Sequence, residues 1–178
     1  MKNQRLKRAM VALLIILLGV AALLVGQPSM MTVASAAPAC RPANGLPDKA
    51  CTPGAIDPRV KQNNIYTTIC RSGYTSKVRP PVSYTNALKI SQIAAWGLPG
   101  TKLNYEEDHL IPLSIGGAPR DPRNLWPEPW KGSLNAVEKD DVEFKVYRAV
   151  CDRKVTLAQA QAAFADNWMT AMKVLKLS

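Results

Sequence analysis

All four cysteines of the chain, Cys40, Cys51, Cys70 and Cys151, lie beyond a charged and then apolar leader, and this arrangement limits the fold more than any other feature. Residues Met1 to Arg8 carry Lys2, Arg5, Lys7 and Arg8 and no acid, and Met10 to Gly26 contain no charge. A polar stretch then ends in Ala34-Ser35-Ala36, the small-x-small pattern a signal peptidase reads. The expectation is a signal peptide over residues 1–36 and a secreted, extracytoplasmic protein with no permanent membrane association. The alternative is an uncleaved anchor over residues 10–26, a run at the lower limit for spanning a bilayer. An even number of cysteines in an exported chain predicts two structural disulfides. Their spacing leaves all three pairings open and lacks the paired C-x2-C of a zinc site. A bridge to Cys151 closes a long loop and contributes roughly 4 kcal/mol on the loop-entropy model.

Composition narrows the chemistry. The 178 residues include one histidine, His109, which excludes any multi-histidine metal site. Removing the four basic residues of the leader lowers the formal net charge from +10 to +6, still a surplus that favours a polyanion. Charge alone does not choose between nucleic acid, lipid and wall polymer.

Residues 37–56 form a proline-rich arm containing the turn-prone Asn44-Gly45 pair. One domain is expected over 57–178, α+β but mainly helical and disulfide-stapled. Within it Ile65 to Cys70 is β-prone, and Ser83 can cap a helix from Tyr84 to Trp96 that Gly97 and Pro99 end. Ser133 can cap a helix from Leu134 to Cys151, with Leu134, Val137, Phe144, Tyr147 and Cys151 on one face. Thr156 with Gln159 makes a capping box for a third helix, where Leu157, Phe164, Trp168, Met172 and Leu175 recur at helical spacing.

The stretch between the first two helices carries the chemistry. Tyr105 to His109 and Leu113 to Ile115 can be extended, Gly116-Gly117 supplies a turn, and Asn124 to Trp126 can return as a strand. A β-β-α order follows. Asp108 and His109 place a hard oxygen ligand beside the one side chain whose ordinary pKa lies near neutrality, the pair that hydrolysis of a phosphodiester requires.

The run Asp108-His109-Leu110-Ile111-Pro112, followed by Gly116-Gly117, by Asn124-Leu125 and by a helix with Asn135 and Lys139, resembles the HNH family of ββα-metal endonucleases over about residues 105 to 145. Cys51 to Gly54 (CTPG), Val78 to Pro81 (VRPP) and Asn124 to Pro129 (NLWPEP) are similar to small exported bacterial members of that family. The resemblance implies a hairpin-plus-helix metal core with flanking helices and metal-dependent, largely non-specific cleavage of DNA or RNA. It implies His109 as general base, Asn124 as the residue that orients it, and Asp108 as metal ligand. Asn135 best matches the second ligand, with Asp140 or Glu143 as alternatives. The ion implied is one Mg²⁺, or Mn²⁺. Arg120, Arg123, Lys131 and Lys139 surround the motif and are candidates to grip phosphates. A monomer acting on nucleic acid is expected. Two rival classes are a catalytically silent basic module that binds envelope polymer or nucleic acid, and a wall-degrading glycosidase using the acids of Glu106 to Asp108. The second is disfavoured because the carboxylates lie so close in sequence, beside a base and with no obvious substrate groove.

Overall fold

The computed structural model describes residues 40–132 and 135–177. The leader and the proposed cleavage site lie outside them, as do Ser133 and Leu134. The described chain is α+β and about half helical, with one two-stranded sheet and two disulfides. The bridges pair Cys40 with Cys51 and Cys70 with Cys151, a pattern that belongs to an oxidising compartment. No helix among the described residues is long and apolar enough to cross a membrane.

The proline-rich arm folds back at Asn44-Gly45, both at positive φ, inside an Ala43–Leu46 bridge. Gly45 offers its carbonyl to the Trp168 indole at 2.9 Å. Farther along, Ile56 bridges Gly117, and Gly54 donates to the Arg123 carbonyl, so the arm lies against the hairpin connection.

Ile65 to Cys70 is not a strand. A 3-10 helix spans Gln62–Thr67, and Ile65 and Ile69, four apart, are both buried. Thr67, which strand alternation would bury on the same face as both, is exposed, so the burial follows the helical turn. Two helices follow, α1 (Tyr74–Val78) and α2 (Val82–Trp96). The second starts at Pro81 rather than Ser83 and stops at Gly97, whose φ of 63° lets Leu98 donate to the Ile93 carbonyl.

Strand β1 (Tyr105–His109) pairs antiparallel with β2 (Leu125–Pro129), placing Asp108 opposite Trp126 and His109 opposite Leu125. Leu113–Ile115 is a 3-10 turn and not the extended segment expected. The hairpin leads to α3 (Ala136–Cys151), then to α4 (Leu157–Asn167) and α5 (Ala171–Val174). The Thr156–Gln159 capping box is present. The third helix is broken where Asn167 adopts an extended backbone and accepts from Met169 N–H, starting a new turn.

The core joins Ile65, Ile69, Leu110, Ile111 and Ile115 to Val146 and Val150 of α3 and Phe164 of α4, with Trp168 beyond it. In α3 the buried residues are Ala136, Lys139, Val146, Ala149 and Val150, whereas Val137 and Phe144 are about 60% exposed. Of the expected apolar face, Val137 and Phe144 point outward, while Tyr147 is half-buried against the core and Cys151 is held in its disulfide.

Candidate active site

Strand alternation sends Asp108 and His109 to opposite sides of β1. His109 is buried, and its Nε2 lies 3.0 Å from the Pro119 carbonyl. A carbonyl only accepts, so Nε2 carries the proton and Nδ1 of the neutral ring holds a lone pair. Burial lowers the His109 pKa against the pull of Asp108, and Arg79 and Lys139 add to that lowering, so the ring is neutral at pH 7.

Asn124 is fully buried and uses both ends of its amide. Its Oδ1 accepts from Ile111 N–H at 2.9 Å, while Nδ2 donates to the carbonyls of Ile111 and Ala118. These bonds close the loop that leaves β1 immediately after His109. Gly117 lets the loop close: a Cβ there would meet the Ile111 oxygen at 1.8 Å.

On the other side of β1, Asp108 meets α3. Lys139 is fully buried, and its Nζ donates to Asp108 Oδ2 at 2.5 Å, to the His109 carbonyl at 2.9 Å and to Glu143 Oε1. Glu128 lies 3.9 Å from that ammonium, and its protonated carboxyl hydrogen-bonds Asp108. Although burial opposes its charge, Asp108 is held well below the usual carboxylate range by the Lys139 ammonium. Glu128 and Glu143 are raised, chiefly by burial. Lys139 is thus an internal counter-ion and not a surface phosphate contact.

Asn135 is the N-cap of α3. Its Oδ1 accepts from Val137 and Glu138 N–H, and its Nδ2 donates to the Gly132 carbonyl. The amide expected to bind metal is committed to starting the helix, a turn before the residues that reach Asp108. Asp140 and Glu143 instead line a cleft of about 220 Å³ with Arg79, Ser114, Phe144 and Tyr147. Burial and the neighbouring Asp108 raise Asp140.

Among the described residues, no three His, Cys, Asp or Glu side chains form a ready metal cage. Mg²⁺ commonly takes one or two carboxylates, substrate phosphate and water, so a cage is not required. Lys139 uses one oxygen each of Asp108 and Glu143, and these side chains are 14% and 20% exposed. Their second oxygens, with Asp140, are hard donors that suit such an ion.

The expected phosphate-gripping residues separate. Arg120 stacks over Tyr84, Arg123 pairs with Asp121 at 2.6 Å, and Lys131 is exposed beyond β2. Arg79 was not singled out by spacing, although it sits in the VRPP stretch; it is exposed in the cleft and in no ion pair among the described residues. Trp126 is buried at the core of the hairpin.

Glu107 is buried on the His109 side with neither oxygen bonded, and burial pushes its carboxyl up to about 8. A folded pKa above the unfolded value stabilises most at low pH, and that contribution is lost as pH rises from about 4.5 toward 8. Urea unfolding between pH 5 and 8 should fall more steeply for wild type than for Glu107→Gln, by up to about 1.4 kcal/mol per pH unit. Parallel curves would contradict a buried titrating Glu107.

Comparison with family models, curated proteins and solved structures finds no match. The site therefore has to be interpreted from its own geometry.

Proposed function

We propose that this is an exported, disulfide-stapled, metal-dependent endonuclease of the HNH type that hydrolyses phosphodiester bonds of nucleic acid as a monomer. One observation carries the reading: a buried neutral imidazole whose Nε2–H is fixed on the Pro119 carbonyl, next to an ionised Asp108. That is the state a general base needs at neutral pH.

His109 takes a proton from the attacking water at Nδ1. The bond to Pro119 fixes the tautomer, and the adjacent Asp108 charge stabilises the imidazolium that forms. Asn124 orients the base by closing the loop behind it. Arg79 lines the cleft with Asp140 and Glu143 and draws the scissile phosphate there. Asp108, with Asp140 or Glu143, would hold Mg²⁺ or Mn²⁺; such an ion supplies charge neutralisation on the phosphoryl and leaving oxygens. Lys139 keeps Asp108 ionised from behind. Nothing in the hairpin offers a helix to the major groove, so cutting depends on the backbone and tolerates any sequence.

Hydrolysis itself is the test. Purified protein should convert supercoiled plasmid to the nicked form with Mg²⁺ or Mn²⁺, and a chelator should stop it. Intact plasmid across several divalent ions would overturn the reading. The 2% exposure of His109 favours, as the second reading, a silent basic module. That module would bind polyanion in a salt-sensitive way without metal, and His109→Ala would leave its binding unchanged.

A further inference from the structure

A second pocket, of about 460 Å³, is lined by Arg59, Arg71, Ser72, Tyr74 and Lys77, with no acid among its lining residues. Arg59 shares its charge with Asp57 at 2.7 Å. Arg71 and Lys77 are exposed and take part in no ion pair among the described residues. Thr67 and Thr68 donate their hydroxyls to the Asn64 carbonyl, leaving the two cations and Ser72 as the groups that face outward with donors to give. Unpaired cations in a concave site select an anion, and an arginine fork suits phosphate.

Position says which anion. The short helix α1 forms a wall between this pocket and the acidic cleft: Tyr74, Lys77 and Val78 line the pocket, while Thr75 and Arg79 line the cleft. A helix is about 10 Å across, the rise of roughly three phosphates along one duplex strand. Arg71, Lys77 and Arg79 thus form a cationic path that leads to the cleft of Asp140 and Glu143.

We propose that this pocket docks a backbone phosphate of the nucleic acid a few nucleotides from the scissile bond. The inference rests on the nucleic-acid reading above but is tested by binding, not cleavage. The probe is a short fluorescein-labelled DNA duplex, followed by anisotropy in chelator over a sodium chloride series. Arg71→Gln/Lys77→Gln should weaken binding about tenfold and reduce the salt slope by about 0.9, the loss of one phosphate contact. Lys173→Gln/Lys176→Gln removes the same charge outside the pocket and should leave the slope unchanged.

Unchanged affinity and slope in the Arg71/Lys77 pair would overturn the site, and so would equal losses in both pairs. A loss seen only with phosphatidylglycerol vesicles would also overturn it, and would give the pocket to a membrane surface. Pocket-dependent binding by a protein that cuts no DNA supports the site while removing the nuclease. Nicking by wild type with duplex binding untouched in the Arg71/Lys77 pair does the reverse.

Discussion

Replacing His109 by alanine is expected to lower the rate of strand nicking by about 10²- to 10⁴-fold, the range a positioned general base contributes. No other histidine exists to substitute. Its neighbours are poor substitutes: Asp108 is held ionised by Lys139 and is too weak a base, Asn124 is fully occupied by backbone, and Glu107, raised to about 8, keeps its own proton at pH 7. The substitution also removes the bond to Pro119 and leaves a small cavity, at about 1 to 3 kcal/mol. Thermal unfolding followed by circular dichroism, with nicking assayed well below the variant's midpoint, separates chemistry from folding. A variant that is folded and nicks within a few-fold of wild type would remove His109 from the base role.

The largest effect on stability is expected at Lys139. Its ammonium serves Asp108, Glu143 and the His109 carbonyl from a fully buried position, with Glu128 close by. Lys139→Met fits the space but leaves buried carboxylates without a counter-ion, and breaking such a pair costs about 3 to 5 kcal/mol. The pH dependence follows from Asp108. A folded pKa below the unfolded one contributes stability above the unfolded value, near 4, and loses it as pH falls. The penalty of Lys139→Met should therefore be largest at pH 7 and shrink below about pH 4, where Asp108 takes up a proton in the variant. Urea unfolding of both proteins at the two pH values measures this. Adding Asp108→Asn to Lys139→Met should recover part of the loss at pH 7. A loss under about 1 kcal/mol at pH 7 would mean that the cluster is hydrated and that Lys139 does not govern Asp108.

What could be read from the sequence was local. The Thr156–Gln159 capping box, the Gly97 stop and the Asn44-Gly45 turn depend on residues within a few positions, and each is present. The hairpin was legible because prolines and Gly116-Gly117 bound it. Lys139 was not, because patterning assigns cations to the surface, and only the fold shows that carboxylates from β1, β2 and α3 surround it. With that lysine on the inward face, Val137 and Phe144 point outward, and of the expected stripe Tyr147 and Cys151 stay half-buried. The capping role of Asn135 was likewise not singled out. An asparagine at the start of a helix has a local use as its cap, which competes with any ligand role. Disulfide pairing and the Arg71–Lys77 pocket depend on separations that only tertiary structure brings together.

The central claim is that the neutral His109 imidazole activates water for cleavage of a phosphodiester. Supercoiled plasmid incubated with Mg²⁺ and equal amounts of folded wild type or His109→Ala tests it most directly. The account predicts nicked product with wild type and supercoiled plasmid left intact by the variant; equal nicking by both, or by neither, would contradict it.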